Sequence, residues 1–160
     1  MIGNDIVDLA LARKESNWKR KGFLDKIFTL QEQLLIKATK NQEIMIWTLW
    51  SRKEAAYKIY NRLTGIRKYN PIQFECLNLG IDIVVYENQL FYTRTQMELE
   101  YVYSEAVIKQ NDFDKVKSIK RPFTINKRNG CPSYLDCDCM LEKPLSITHH
   151  GRFEKIITII

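Results

Sequence analysis

The chain has 160 residues, enough for a single domain over residues 1–160, and its 45% hydrophobic and 28% charged residues are typical of a soluble globular protein. Its apolar runs are too short to cross a bilayer, and its first residues lack the basic and apolar regions of a signal peptide. We therefore expect a cytoplasmic location and no membrane partner. The net charge of +6 favours acidic partners, which leaves nucleic acid, phosphate-rich ligands and acidic proteins open.

The first nine residues, Met1 to Leu9, are rich in Ile, Val and Leu and predict a strand. Alternation along this strand places Asp5 on the same face as Val7 and Leu9, where an Asp is out of place. Two interpretations stay open. Either Asp5 has a function that keeps it in the strand, or the strand starts later and Asp5 is a turn or cap residue.

Helical patterns follow the strand. Thr29 and Glu32 form a capping-box pattern, with Thr29 as the N-cap and Glu32 at the third helical position. Four helical segments are predicted: Ala10 to Trp18, Phe23 to Phe28, Thr29 to about Lys40, and Glu43 to Leu63. The basic run Lys19-Arg20-Lys21 is either a solvated surface or a docking patch for an acidic partner.

The longest predicted helix, Glu43 to Leu63, contains neither Pro nor Gly. Spacings of three and four residues place one carboxylate, Glu54, in the middle of an aromatic face, whose members are Trp47, Trp50, Glu54, Tyr57 and Asn61. A buried carboxylate needs a cation, a metal or several hydrogen-bond donors. The alternative is an ordinary pair of Glu54 with Lys58 on a solvated helix.

Beyond residue 65 the apolar pattern changes to a period of two, which predicts antiparallel strands. The predicted segments are a hairpin of Gly80 to Glu87 and Gln89 to Gln96 that turns at Glu87-Asn88, a third strand from Glu98 to Lys109, and a closing hairpin of Leu145 to His149 and Lys155 to Ile160. The basic segment 111–128 is predicted as a loop. An N-terminal strand and helices followed by antiparallel strands indicate an α+β fold.

The cysteines are expected to be free thiols in a reducing cytosol. They are Cys76, Cys131, Cys137 and Cys139. A zinc site is the alternative, because Cys137 and Cys139 form a C-x-C pair and His149 and His150 follow about ten residues later.

Three segments together resemble the 4′-phosphopantetheinyl transferase superfamily. They are Gly3-Asn4-Asp5-Ile6-Val7-Asp8-Leu9, Trp50-Ser51-Arg52-Lys53-Glu54-Ala55-Ala56-Tyr57-Lys58 and Ser146-Ile147-Thr148-His149. The family signatures are G-x-D-I-V-(E/D) and (W/F)-(S/A)-x-K-E-A-x-x-K. The small holo-acyl-carrier-protein synthase branch is most similar, because it also has G-x-D at the N-terminus and S-x-S-H in its last strand pair. Thr29 and Glu32 match the family's T-x-x-E element.

The resemblance implies the family's fold and a Mg²⁺-dependent reaction. In it, 4′-phosphopantetheine passes from coenzyme A to a serine of an apo acyl or peptidyl carrier protein, as in fatty acid or polyketide biosynthesis, and 3′,5′-ADP is released. Asp5 and Glu54 would hold Mg²⁺, which prefers oxygen ligands. Lys58 would contact coenzyme A phosphates and, with Asp5 and Glu54, would make up the catalytic set. The family's G-K-P is Gly130-Cys131-Pro132 here.

The resemblance also implies coenzyme A contacts from Lys53 and His149. Lys53 ranks below Lys58, because consecutive helical positions point about 100° apart and Lys53 cannot face the site squarely together with Glu54. The alternatives are an ordinary surface lysine for Lys53 and a structural histidine for His149. Glu54, Asp8 or a bound water stays open as the general base.

Partner and assembly are also inferred from the likeness. The carrier-gripping Arg of the small branch is replaced by Ala10, so Lys19, Arg20 and Lys21 are a candidate docking patch. The small branch also implies a possible homo-trimer.

One alternative to the transferase function is a non-catalytic member of the family that binds coenzyme A or a carrier protein. The other is a nucleic-acid-binding module, suggested by basic residues interleaved with Phe113 and Phe123, although the three motifs argue against nucleic acid as a partner.

Overall fold

The computed structural model describes residues 1–78, 82–137 and 139–160. A first strand, β1 (Ile2–Asp8), leads into four helices: α1 (Leu9–Glu15), α2 (Phe23–Ile27), α3 (Leu30–Ala38) and α4 (Gln42–Thr64). The strands that follow are β2 (Glu75–Asn78), β3 (Asp82–Tyr86), β4 (Gln89–Met97), β5 (Tyr101–Val107), β6 (Val116–Ser118), β7 (Asn126–Arg128), β8 (Cys131–Asp136), β9 (Leu141–His150) and β10 (Phe153–Ile159). Short 3₁₀ turns cover Pro71–Gln73 and Gln110–Lys115.

The strands form two antiparallel sheets. The first sheet has the order β1-β5-β4-β3-β2, and the second has the order β6-β10-β9-β8-β7. Helix α4 packs across β1 and β5 of the first sheet. In the register of β1 with β5, Asp5 lies opposite Ser104. Asp5 shares its face of β1 with Gly3, which lies against Ala55 of α4, so Asp5 is on the face of the sheet that α4 covers.

The close approach of β1 to α4 depends on Gly3. A Cβ atom at this position would lie 1.9 Å from the carbonyl oxygen of Ala55 on α4. Two fully buried alanines, Ala55 and Ala56, face the sheet at the same level. Because small residues on both elements bring the backbones together, α4 lies directly over β1, and Glu54 is carried to the neighbourhood of Asp5.

Side chains of β9 join the second sheet to β1. Three alternate residues at the end of β9 accept hydrogen bonds from backbone N–H groups of β1: Asn4 donates to Ser146 Oγ (3.0 Å), Ile6 to Thr148 Oγ1 (3.1 Å) and Asp8 to His150 Nδ1 (2.8 Å). Side chains thereby provide hydrogen-bond acceptors for the backbone N–H groups on the free edge of β1. The S-x-T-H segment is thus placed beside the G-x-D segment.

The α+β prediction is confirmed, and so are the long helix, the capping box at Thr29 and the turn at Glu87-Asn88. The first helix is shorter than predicted and ends before Ser16. The start of the predicted strand at Gly80 lies outside the described residues. No helix in the described part of the chain is long and apolar enough to cross a membrane.

The prediction of a loop or excursion over residues 111–128 was wrong in part, although residues 119–125 do lie in no helix or strand. That segment contains a 3₁₀ turn and the strands β6 and β7. These are the outer strands of the second sheet, three residues each, and most of their side chains are exposed. Short edge strands need no alternating apolar residues, so their sequences carry little strand pattern. The four-residue edge strand β2 was not predicted for the same reason, and neither was β8, an inner strand of six residues that contains Pro132.

Candidate active site

Asp5 is a mostly buried carboxylate on β1, and its side chain is 14% exposed. Its Oδ1 accepts a hydrogen bond from Thr148 Oγ1 (3.2 Å), and Lys58 Nζ lies 3.8 Å from the same oxygen. Within the described part of the chain, its Oδ2 is buried without a hydrogen-bond partner. Burial raises the pKa of Asp5 despite the nearby ammonium group of Lys58. Oδ2 is therefore a buried oxygen in need of a partner.

Glu54 lines the same cavity as Asp5. Burial, and then the negative charge of Asp5, raise the pKa of Glu54 to about 7, while Lys58 acts in the opposite direction. Two carboxylates that are both withdrawn from water and repel each other are a costly arrangement without a cation between them. Their oxygen atoms suit a hard divalent ion such as Mg²⁺.

Two carboxylates, Asp5 and Glu54, are the candidate metal ligands at this site among the described residues. Among residues 1–78, 82–137 and 139–160, no three His, Cys, Asp or Glu side chains gather into a group that could hold a metal. Mg²⁺ often binds to one or two carboxylates and takes its other ligands from substrate phosphates and water. The pair Asp5 and Glu54 fits that pattern.

Lys58 connects the three elements of the site. Its ammonium group donates to the carbonyl oxygens of Asn4 on β1 (2.6 Å) and Ile147 on β9 (3.3 Å). The side chain is still 31% exposed. It lines a second cavity, to which Glu54 does not contribute. Lys58 therefore offers a positive charge at the boundary between the two cavities.

The structure corrects the expectation for Lys53. Its side chain is fully buried, and its ammonium group pairs with Glu32 Oε2 (2.7 Å) and donates to the carbonyl oxygens of Ile27 (3.1 Å) and Pro71 (3.0 Å). All three N–H donors are in use, so the described geometry leaves none for coenzyme A. The alternative of a surface lysine is wrong as well, because Lys53 ties α4 to α3 in the core.

His149 is exposed at the rim of the cavity that holds Asp5 and Glu54. This cavity of about 330 Å³ has a wall of apolar side chains, contributed by Val7, Ala12, Phe23, Ile27, Trp47 and Trp50. His150 borders the same cavity, although its Nδ1 is engaged by the backbone of Asp8. The structure thus brings His149 to the acidic pair.

A basic cleft of about 400 Å³ opens on the other side of Lys58. Four cationic side chains line it: Lys58, Arg62, Arg121 and Lys127. Arg62 is anchored by hydrogen bonds to the carbonyl oxygens of Pro132 (3.0 Å) and Leu145 (2.6 Å). Sequence patterns assigned none of Arg62, Arg121 and Lys127 to this cleft, and they pointed to Arg121 and Lys127 only as basic residues of the nucleic-acid alternative. The helical spacing of Arg62 from Lys58 was a usable signal, whereas the other two lay in the segment interpreted as a loop.

Asp8 is a structural residue in this arrangement. As N-cap of α1 its Oδ1 accepts from the N–H groups of Ala10 and Leu11, and its carboxylate pairs with Arg152 (2.9 Å). The Arg152 guanidinium holds the pKa of Asp8 far below its usual range. A carboxylate that resists protonation and is fully engaged is a poor proton acceptor. This argues against Asp8 as the general base.

We expect the cation-free protein to lose stability as the pH rises from about 4.5 to above about 7, because the pKa of Glu54 is 4.5 when unfolded and about 7 in the fold. Between these values the folded state holds a proton that the unfolded state has released, so rising pH favours unfolding. The contribution of this group is on the order of 2 to 3 kcal/mol. Urea unfolding in EDTA at about pH 5 and about pH 8 measures it.

The matched variant for this measurement is Glu54→Gln, which should show a smaller loss of stability over the same pH interval. An unchanged dependence in Glu54→Gln would contradict the assignment of the loss to Glu54.

Comparisons with known proteins agree with the sequence resemblance. A model of the 4′-phosphopantetheinyl transferase superfamily matches residues 1–83. The holo-(acyl-carrier-protein) synthase of Neisseria meningitidis is 20% identical, with a TM-score of 0.57 over 68% of this chain and 97% of that one. The Helicobacter pylori synthase, solved with coenzyme A, is 19% identical, with a TM-score of 0.55 over 68% of this chain and all of its own (100%).

The Thermotoga maritima holo-(acyl-carrier-protein) synthase is 14% identical, with a TM-score of 0.53 over 76% of this chain and 77% of that one. No curated protein sequence matches the chain. At these identities the solved structures establish the likeness of the fold. The family model, which spans more than half of the chain, establishes the evolutionary relationship.

Proposed function

Because the chain belongs to the 4′-phosphopantetheinyl transferase superfamily, we propose that it transfers 4′-phosphopantetheine from coenzyme A to a serine of an apo carrier protein in the cytoplasm, with release of 3′,5′-ADP. We further propose that residues 1–160 act as one catalytic domain. The observation that carries the proposal is the buried pair of Asp5 and Glu54, which has Lys58 beside it and a basic cleft next to it.

Asp5 and Glu54 would hold Mg²⁺ in this proposal. The support is the unpartnered Oδ2 of Asp5 and the raised pKa of Glu54, both of which a bound cation would relieve. When bound, Mg²⁺ would neutralise charge on the pyrophosphate of coenzyme A and help to orient it.

Lys58 would stabilise the negative charge that grows on the leaving 3′,5′-ADP. Its ammonium group is held by two carbonyl oxygens, so it is preoriented and needs no rearrangement during the reaction. The serine proton needs an acceptor, and the ion pair of Asp8 with Arg152 leaves Glu54 as the chain's own candidate. His149 is proposed to contact coenzyme A at the cavity of the acidic pair.

The basic cleft is proposed to receive the nucleotide phosphates of coenzyme A. We expect the double variant Arg121→Met with Lys127→Met to weaken coenzyme A binding by about tenfold, because it removes two of the positive charges that line the cleft, one of them paired with Glu154. Isothermal titration calorimetry measures the change. The control is the double variant Lys37→Met with Lys40→Met, at two exposed lysines at and just after the end of α3, which removes the same number of charges. An equal loss in this control would mean that only the net charge of the protein matters.

The carrier protein is proposed to dock beside the cavity of the acidic pair. Lys19, Arg20 and Lys21 are exposed and follow α1, which lines that cavity. Arg13, the Arg nearest to the family's position, pairs with Glu43 (2.9 Å). The exposed run is therefore the better candidate for an acidic carrier.

The test is mass spectrometry of a panel of apo carrier proteins after incubation with this protein, coenzyme A and Mg²⁺. We expect one carrier to gain a single phosphopantetheine and the gain to disappear with EDTA. Coenzyme A binding without release of 3′,5′-ADP, on carriers that another transferase can modify, would instead indicate a non-catalytic member of the family. Absence of coenzyme A binding would overturn the proposal.

A further inference from the structure

We propose that Thr148 is a positioning residue that fixes the orientation of the Asp5 carboxylate, so that Oδ2 is the oxygen presented to the divalent cation. The inference rests on the proposed function only in its choice of cation, because the contacts that support it lie within the protein. Thr148 lies on β9, 143 residues from Asp5 along the chain.

The hydroxyl group of Thr148 has two hydrogen-bond partners, and together they determine the direction in which its hydrogen points. Its oxygen accepts from the backbone N–H of Ile6 (3.1 Å), which leaves its own hydrogen free to point to Asp5 Oδ1 (3.2 Å). Thr148 is 5% exposed, so water does not compete for these bonds. The hydroxyl group therefore acts as a one-way donor to one oxygen of the carboxylate.

This bond distinguishes the two oxygens of Asp5. Oδ1 receives the hydroxyl hydrogen of Thr148 and is the oxygen nearer to Lys58 (3.8 Å). Oδ2 is buried and has no hydrogen-bond partner among the described residues. A carboxylate that is held by one oxygen and free at the other is arranged for a ligand at the second oxygen. Rotation of the carboxylate would break the bond to Thr148.

Two other residues of β9 contact the backbone of β1, and they allow the positioning role of Thr148 to be distinguished from a general structural role. Ser146 and His150 also accept a backbone N–H of β1, from Asn4 (3.0 Å) and Asp8 (2.8 Å) respectively. The hydroxyl group of Ser146 donates to the side chain of Asn4 (2.7 Å), which is not one of the proposed cation ligands. Ser146 thus shares the backbone contact of Thr148 without the carboxylate contact, and it provides the matched control.

The choice of threonine also has a physical reason. A β-branched side chain in a strand has few χ1 rotamers, so the hydroxyl group is held in place with little freedom. Thr148→Val keeps the shape and removes the hydroxyl group. Thr148→Ser keeps the hydroxyl group and loses the branch.

The experiment measures Mn²⁺ binding by electron paramagnetic resonance, without substrates, together with the Mg²⁺ dependence of transfer. We expect Thr148→Val to weaken Mn²⁺ binding by about 10- to 100-fold, the usual effect of losing a partner of a metal ligand. It should raise the Mg²⁺ concentration for half-maximal transfer by a similar factor. Thr148→Ser should stay within about threefold of the wild type, since it retains the donor. Ser146→Ala should retain wild-type Mn²⁺ affinity.

Unchanged Mn²⁺ affinity in Thr148→Val would overturn the inference, as would an equal loss in Ser146→Ala, since a general loosening of β1 would explain it. A wild-type protein that binds no Mn²⁺ would overturn it as well. If Thr148→Val does not fold, Thr148→Ala removes the same hydroxyl group with less bulk. The two proposals can also fail separately. If Thr148→Val loses Mn²⁺ affinity but the wild type modifies no carrier, the result would support the role of Thr148 and contradict the proposed function.

Discussion

Glu54→Gln is expected to lower phosphopantetheine transfer by about a thousandfold or more, because a cation that stabilises the charge of a phosphoryl transition state contributes several kcal/mol and each 1.4 kcal/mol is a factor of ten. The change keeps the shape of the side chain and removes its charge. In this variant, Asp5 would be the only one of the two proposed cation ligands that still carries a charge. Transfer is measured by mass spectrometry of the carrier protein under saturating coenzyme A and Mg²⁺.

The control for this prediction is Glu43→Gln on the first turn of the same helix, where Glu43 pairs with the exposed Arg13. We expect Glu43→Gln to keep transfer within about twofold of the wild type, since exposed ion pairs contribute little. Full transfer by Glu54→Gln would remove Glu54 from the site.

A loss of transfer caused by misfolding would look different from the expected result. The raised pKa of Glu54 means that its charge opposes folding in the absence of a cation. Glu54→Gln should therefore be at least as stable as the wild type in EDTA at about pH 8. Inactivity combined with undiminished stability is the signature of a functional carboxylate.

Local patterns marked Asp5 and Glu54 as out of place, because both carboxylates break a local rule, and the family resemblance then assigned them to one site. Asp5 interrupts the apolar alternation of a strand, and Glu54 lies in the aromatic face of a helix. The long helix could be predicted for a similar reason, since residues 43–63 contain no Gly or Pro and have a helical period. Local pattern can therefore single out a residue that conflicts with its own neighbours, but it does not say which other residue shares its site.

The rest of the site depends on contacts that no local pattern contains. Thr148 meets Asp5 across 143 residues, and Lys58 meets Ile147 across 89. The basic cleft includes side chains from edge strands and loops, whose polar sequences look the same whether they are folded or mobile. Helical spacing predicted that Lys53 and Glu54 cannot both face the site squarely. It did not reveal that Lys53 enters the core, because this depends on where Glu32 of α3 lies.

Lys53→Met is expected to reduce the free energy of unfolding by about 3 to 5 kcal/mol, because it leaves Glu32 charged and buried without its cationic partner. Both side chains are almost inaccessible, with 0% and 1% of their surfaces exposed. Urea unfolding at neutral pH measures the loss.

The control variant is Arg13→Met, which breaks the exposed pair with Glu43 and should reduce the free energy of unfolding by less than about 1 kcal/mol. Adding Glu32→Gln to Lys53→Met should restore part of the stability, since it removes the unpaired charge. Stability within about 1 kcal/mol of the wild type in Lys53→Met would mean that the buried pair does not hold α3 against α4, and it would reopen a role for Lys53 at the phosphates.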